Sequence, residues 1–345
     1  MTHPSADRYE SLDYLRGLMA LAVMVFHFDK WLNGRWDASS LQGRLGVYAV
    51  SIFFVLSGLT LTLVYRGRLR ANIESVVSFY QKRFWRIFPL LWVTTLCSLI
   101  LDEVKRPFID ILLNVTGLFG WVNPARDIAT GAWSIGCELV FYAFFPLILW
   151  GAQRWKWCIG FMWLSSFGMD VYVAFNWFDP ASQDQSFWWQ AYVQVANHIS
   201  FFLAGMWLGL SSQRTNGFVW FPFILFSLVF FLWPVGFQAF SLVYGWDRIV
   251  LLLLTTGLVA LYFHLPVKLP DIPARLLNWL GLISYSLYLW HPIVFRGVQF
   301  ILRKFQQTWS IGWIFLLAGM VSVAVAGVSY HYFERLIQRS MVRVR

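Results

Sequence analysis

The 345 residues of the chain are 59% hydrophobic and only 13% charged, whereas a soluble domain usually carries about 25% charged residues. This composition excludes an ordinary water-soluble domain. The net charge of +10 is explained by basic residues in short loops between apolar runs, which membrane insertion favours. We therefore expect an integral membrane protein that contacts the lipid bilayer and binds no nucleic acid.

Long apolar runs recur from residue 12 to residue 332, and each approaches the ~20 residues that a helix needs to cross a bilayer. They predict an all-α, polytopic membrane protein with about ten transmembrane helices in a single domain, residues 1–345. The predicted spans are Leu12–Leu32, Leu45–Tyr65, Ile87–Leu101, Trp133–Trp150, Cys158–Phe175, Tyr192–Leu210, Phe218–Phe237, Trp246–Leu265, Leu276–Leu302 and Gly312–Tyr332. The shorter run from Ile109 to Trp121 is predicted to be re-entrant or interfacial.

The first apolar run is expected to remain as a span, because Arg16 and His27 interrupt it and it lacks the small-residue cleavage site of a signal peptide. With the amino terminus inside, 17 of the 27 Lys and Arg residues fall on the inner side. This asymmetry predicts that both termini are cytoplasmic and that the number of spans is even. We expect a multi-pass protein of a bacterial-type cytoplasmic (inner) membrane. The basic inner loop from Arg66 to Arg86 either contacts anionic lipid or docks a polyanionic ligand.

Arg16 and His27 are ionisable residues within the first predicted helix. Eleven residues bring both side chains to one helix face, about 16 Å apart along the axis, and this separation resembles the length of a phosphopantetheine arm. An arginine at the inner mouth can hold phosphates by bidentate hydrogen bonds, and a histidine can take a proton from a hydroxyl. A flanking arginine together with a core histidine bonded to a neighbour also explains the pattern.

Three more ionisable residues occur near or inside later spans. Arg83 and Arg86 share one helix face just before the third span, either as an ordinary positive flank or as partners of Arg16 in a phosphate clamp. Glu138 lies about 8 Å into a span that enters from outside. It is predicted either to orient His27 or to make a structural hydrogen bond to another helix.

Serine, tyrosine and histidine side chains line part of the ninth predicted span. Hydrogen bonds between helices explain them, and so does an acceptor pocket formed by Tyr288 and His291 together with Ser134. No metal site is predicted, and the sequence holds no Gly-x-Ser-x-Gly, P-loop or His-Glu-x-x-His motif. Three cysteines are interpreted as small apolar residues rather than disulfide or zinc ligands: Cys97, Cys137 and Cys158.

Taken in chain order, these motifs resemble the acyltransferase-three family of integral membrane O-acyltransferases. The resemblance lies in Leu12-Asp13-Tyr14-Leu15-Arg16-Gly17 leading to His27, Ser51-Ile52-Phe53-Phe54-Val55-Leu56-Ser57-Gly58, Arg83-x-x-Arg86 with Pro89, Trp133-Ser134 with Glu138 and Phe141-Tyr142, and Tyr285 through Trp290-His291. The chain departs from the family where Leu139 and Val140 follow Glu138, and where Phe333-Glu334-Arg335 lacks a proline after the acid. No hydrolase-like domain is expected after the tenth span.

The resemblance implies ten helices, an acyl-coenzyme A donor bound from the cytoplasm, and an extracytoplasmic glycan or lipid-linked saccharide as acceptor. It marks Arg16 and His27 as paired functional residues, Arg83 and Arg86 as donor-binding residues, and Glu138 as an active-site member. His27 and Glu138 are therefore the predicted catalytic residues. The predicted activity is transfer of an acyl group, acetyl by default, to a hydroxyl, with acetyl-coenzyme A as co-substrate and no bound cofactor. A transporter or flippase of a lipid-linked or anionic substrate is the alternative.

Overall fold

The computed structural model describes residues 10–34, 37–102, 105–178, 185–211, 219–307 and 309–342. These residues form helices and connecting loops without any strand, so the all-α prediction is confirmed. The two chain termini, predicted to be cytoplasmic, lie outside the described residues. The α-helices are α1 Glu10–Asn33, α2 Leu41–Tyr65, α3 Ile73–Leu101, α4 Phe108–Thr116, α5 Phe119–Val122, α6 Ala132–Arg154, α7 Lys156–Asn176, α8 Gln185–Tyr192, α9 Ile199–Ser211, α10 Trp220–Leu232, α11 Gly245–His264, α12 Asp271–Lys304, α13 Ile311–Ser329 and α14 Arg335–Val342.

Among the described residues, seven helical segments are long and apolar enough to cross a bilayer. They are α1, α2, α3, α6, the Trp157–Asn176 part of α7, α11, and Ile311–Ser340. Two further predicted spans, Tyr192–Leu210 and Phe218–Phe237, contain most of α9 and all of α10, which have only 13 residues each. The remaining one coincides with α12, which has 34 residues and carries charges in its first and last turns. The protein is therefore a multi-pass membrane protein, and the number of ten spans stays a prediction.

The start of α3 and the run from Ile109 to Trp121 also differ from the predictions. Helix α3 begins at Ile73, with Asn72 as its N-cap, whereas the apolar run begins only at Ile87. Arg83 and Arg86 therefore lie inside a continuous helix rather than before it. The run from Ile109 to Trp121 forms α4 and α5, separated at Gly117, whose φ of 76° is left-handed. Each of these two helices is too short to cross a bilayer.

Helices α1 and α12 pack against each other in parallel through a glycine contact. A Cβ atom on Gly281 would lie 2.2 Å from the Asp13 carbonyl oxygen, and one on Gly17 would lie 2.8 Å from the Leu280 Cβ atom. Small residues allow this close backbone approach in membrane proteins. Ten residues further along each helix, His27 meets His291, so the glycine contact sets the register that joins the two histidines.

A second glycine contact joins α2 to α9. A Cβ atom on Gly58 would lie 2.1 Å from the Phe202 carbonyl oxygen, and one on Gly205 would lie 2.0 Å from the Val55 carbonyl oxygen. The two backbones therefore touch without intervening side chains. Ser57 and Thr60 lie one and two residues from Gly58 on α2. The packing of α9 against α2 therefore also fixes the position of these two hydroxyl side chains.

The loop before α6 is held by two polar side chains, those of the buried Asn114 and the half-buried Asp127. The buried Asn114 amide donates to the carbonyl oxygen of Arg126 at 2.8 Å and accepts from the Ile128 backbone N–H at 2.9 Å. Asp127 accepts the Trp133 backbone N–H at 3.1 Å, inside the first turn of α6. The bond from Asp127 satisfies a donor in the first turn of α6. Together with the Asn114 bonds in the loop, it fixes the direction in which α6 enters the bundle.

Asp127 predicts a pH-dependent stability. Burial raises the pKa of Asp127 from 3.8 to about 7, against the opposing effect of the Trp133 N–H bond. The folded protein therefore holds a proton that the unfolded chain releases, so stability falls as pH rises from about 4 to about 7. Asp127→Asn keeps an oxygen acceptor but removes the charge, and we expect it to abolish this dependence. Melting temperatures of wild type and Asp127→Asn, measured in detergent at about pH 4 and about pH 8, test this. An equal fall in melting temperature between the two pH values in both proteins would contradict it.

Candidate functional site

Helices α1, α2, α3, α6 and α12 surround a cavity of about 240 Å³. Apolar residues such as Phe53 and Leu61 form part of its wall, and the rest of the wall is polar. The polar lining residues are Arg16, Ser57, Thr60, Tyr65, Arg83, Arg86, Ser134, Glu138, Tyr142, Ser284, Tyr285 and Tyr288. A polar cavity inside a membrane bundle is costly unless it receives a polar ligand or water, which makes it the candidate site.

Three guanidinium groups line this cavity. Arg16 Nη2 donates to Thr60 Oγ1 at 2.8 Å, and Arg16 Nη1 lies 4.0 Å from an Asp13 carboxylate oxygen. Arg83 and Arg86 reach the same cavity from α3. The structure thus brings together all three arginines predicted to bind the donor, in an arrangement suited to a ligand with several phosphate charges.

Glu138 belongs to the same half of the cavity. Tyr142 Oη donates to Glu138 Oε2 at 2.9 Å and lies 2.7 Å from Ser57 Oγ. Arg16 is among the charged neighbours that act on the carboxylate. The expected contact between Glu138 and His27 is therefore not observed, because Arg16 lies about 16 Å before His27 along α1.

His27 instead pairs with His291. The Nδ1 atom of His27 lies 2.8 Å from Nε2 of His291, and Nδ1 of His291 lies 3.0 Å from the Leu287 carbonyl oxygen. The two rings are nearly coplanar, with 13° between their planes. His291 is 1% exposed, whereas His27 is half-buried.

The Leu287 carbonyl fixes the proton positions in this pair. A carbonyl oxygen only accepts, so Nδ1 of His291 carries a hydrogen and its Nε2 is an acceptor when the ring is neutral. Nδ1 of His27 must then be the donor, which leaves Nε2 of His27 with a free lone pair. His27 is thereby held in the tautomer that a general base at Nε2 requires.

The other residues predicted for an acceptor pocket lie close to the histidines. Ser134 Oγ and Tyr288 Oη are 2.9 Å apart, and each lies 3.0 Å from the Gly131 carbonyl oxygen. The Tyr288 ring centroid is 6.1 Å from that of His291. The cavity therefore runs from the arginines to Tyr288, which separates it from His291; the two histidines are not among its lining residues. His291 contacts His27 through its Nε2 atom, and its place in an acceptor pocket stays a prediction.

Sequence reasoning missed Thr60, the hydrogen-bond partner of Arg16, and the partnership of His291 with His27. Thr60 carries no signal of its own in an apolar run. The histidine pair does leave a trace, since Gly17 precedes His27 and Gly281 precedes His291 by the same ten residues. Two parallel helices in contact at their glycines would share that spacing.

Comparison with known proteins identifies the family of the chain. A family model described as an acyltransferase domain matches residues 9–331. A candidate O-acetyltransferase of Staphylococcus aureus (strain COL) is 24% identical, with 96% of this chain and 58% of the relative covered. The peptidoglycan O-acetyltransferase OatA of Listeria monocytogenes is 23% identical, with 98% and 57% covered. The acyltransferase MdmB of Streptomyces mycarofaciens is 32% identical over 42% of this chain and 40% of its own.

This chain thus spans less than three fifths of the length of each of these relatives. No solved structure matches it significantly.

Proposed function

Because the chain belongs to the acyltransferase-three family, we propose that it transfers an acetyl group from acetyl-coenzyme A to a hydroxyl of an envelope or exported glycan. The observation that carries this proposal is the hydrogen-bonded pair of His27 and His291, which supplies a base of fixed tautomer beside a cationic cavity. The match to an acyltransferase model favours group transfer over the transporter alternative.

The donor enters the cavity from the cytoplasmic side. Its nucleotide phosphates contact Arg16, Arg83 and Arg86, since guanidinium groups form strong charge-assisted hydrogen bonds with phosphates. The pantetheine arm then extends along the cavity past Glu138 and Tyr142. The rise along α1 places His27 about 16 Å from Arg16, so the thioester reaches the histidine while the phosphates stay on the arginines.

Transfer proceeds by general base catalysis. Nε2 of His27 takes the proton from the acceptor hydroxyl, and the hydroxyl oxygen attacks the thioester carbonyl carbon. The new C–O bond forms as the C–S bond breaks, and coenzyme A leaves as a thiolate that takes the proton back from His27. Throughout, Nδ1 of His27 donates to His291, which keeps the imidazole ring in place.

Acetyl transfer in sealed vesicles tests the proposal. Inside-out vesicles containing the protein receive radiolabelled acetyl-coenzyme A, and the envelope glycan is then isolated and counted. We expect label in the glycan from these vesicles only, with none from vesicles that lack the protein. Right-side-out vesicles, whose cytoplasmic face is enclosed, are expected to give none either. Absence of protein-dependent label would overturn the proposed donor, and label from right-side-out vesicles would overturn the side of entry.

Replacing Arg16 with alanine is expected to weaken donor binding. One hydrogen bond to a charged group contributes about 1.5–3 kcal/mol, so the apparent KM for acetyl-coenzyme A should rise roughly 10- to 100-fold. Arg16→Lys keeps the charge without the bidentate geometry and should give an intermediate KM. The matched control is Arg275→Ala, which removes an exposed arginine 3.9 Å from Asp271. An unchanged KM in Arg16→Ala would exclude the phosphate-binding role.

A further inference from the structure

The indole of Trp31 lies over the histidine pair. Trp31 follows His27 by one turn of α1, so both side chains share one helix face. Its ring is 5.0 Å from that of His27, with 11° between the planes, and 6.1 Å from that of His291, with 20° between the planes. The indole is therefore nearly parallel to both imidazoles and lies closer to that of His27.

Two phenylalanines hold the indole in this position. The ring of Phe295, one turn after His291 on α12, lies 5.0 Å from that of Trp31. The ring of Phe28 lies 6.1 Å from Trp31 and 4.9 Å from Phe295. Both phenylalanines are buried, and close-packed buried rings leave little room to rotate. The Trp31 indole is thus held in a fixed orientation against the His27 ring.

The charge that His27 acquires during transfer needs a partner. Within the described part of the chain, the hydrogen bond of His27 goes to His291 and the neighbouring Lys30 is a cation, so neither supplies negative charge. Glu138, the nearest candidate from the sequence, hydrogen-bonds with Tyr142 instead. The face of an aromatic ring is electron-rich and attracts a cation that lies above it, most strongly in tryptophan. An indole parallel to the imidazole presents that face to His27.

We propose that Trp31 is a positioning residue that holds His27 in its plane and stabilises the imidazolium formed when His27 takes the acceptor proton. This inference rests on the proposed function, in which His27 is the general base. Because both effects act on His27, where the acceptor proton is taken up, Trp31 contributes to the turnover step. Along α1, Trp31 lies even further from Arg16 than His27 does, so we expect it to contribute little to donor binding.

Four variants, assayed for acetyl transfer in inside-out vesicles, test the inference. Trp31→Leu keeps an apolar side chain but removes the aromatic face, and we expect kcat to fall roughly 2- to 30-fold with the donor KM unchanged. Trp31→Phe and Trp31→Tyr retain an aromatic face and are expected to restore most of kcat. The matched control is Trp163→Leu, since Trp163 is also half-buried and stacks on Phe167 at 5.4 Å, away from the histidines.

The outcomes separate this inference from the proposed function. Transfer by wild type, loss in Trp31→Leu and recovery in the aromatic variants, at equal protein levels in the membrane, support it. Wild-type transfer with no loss of kcat in Trp31→Leu overturns the role of Trp31 and leaves the proposed function standing. An equal loss in Trp31→Leu and Trp31→Phe, or the same loss in Trp163→Leu, overturns it as well. A wild-type protein that transfers no acetyl group overturns the proposed function, and this inference with it.

Discussion

Membranes that carry His27→Ala are expected to transfer acetyl groups roughly 10²- to 10⁴-fold more slowly than wild type, because a positioned general base contributes about that factor. The donor KM should change little, since the arginines that contact the phosphates remain. Initial rates in inside-out vesicles, measured over a range of acetyl-coenzyme A concentrations, separate the two effects. A His27→Ala protein with a wild-type rate would exclude every mechanism in which this histidine takes the acceptor proton.

The pairing of His27 with His291 makes a second expectation measurable in the same assay. Residues that act as a unit show non-additive losses, so the double variant His27→Ala/His291→Ala should be no slower than His27→Ala alone. His291→Ala by itself should lower kcat, because the tautomer and orientation of His27 are then no longer fixed. The matched control is His331→Ala, which removes an exposed histidine. Fully additive losses would show that the two imidazoles act independently.

The positions of most long helices were predictable, because a long apolar run is visible in the hydropathy of the sequence. α1, α2, α6 and α11 coincide with predicted spans to within a few residues. The start of α3 was not predictable in this way, since Ile73 to Arg86 mixes polar and apolar residues and resembles a loop by hydropathy alone. A helix with polar residues on one side mixes polar and apolar residues as a loop does, so its composition does not separate it from the loop before it.

The candidate site shows the same division. The common helix face of Arg16 and His27 follows from 3.6 residues per turn, which is a property of one helix. The contact of His27 with His291 joins residues 264 positions apart, and helix periodicity states only which face each residue occupies. Glu138 illustrates the consequence: its depth in α6 was predictable, but its partner was not, because Tyr142, one turn away on the same helix, satisfies it.

The close packing of α1 against α12 predicts a second large loss of activity, in the variant Gly281→Ala. Gly281→Ala is expected to disrupt the site without touching any polar residue of it, because the new Cβ atom would lie 2.2 Å from the Asp13 carbonyl oxygen. Ordinary van der Waals contact begins at 3.4 Å. The two backbones must therefore separate by roughly 1 Å, and a misplacement of that size can cost about 10²-fold in rate. Overpacking of this kind also destabilises by about 1–3 kcal/mol.

Gly297→Ala is the matched control, since it makes the same substitution on the same helix at a position with nothing within 4 Å of the new Cβ atom. Kcat and melting temperature are measured for both variants in parallel. We expect Gly281→Ala to lower both kcat and the melting temperature, and Gly297→Ala to leave both unchanged. If Gly281→Ala transfers at the wild-type rate, the His27–His291 contact does not depend on the packing of α1 against α12. If both variants lose activity equally, helix flexibility rather than the backbone contact governs the site, since alanine stiffens a helix wherever it replaces glycine.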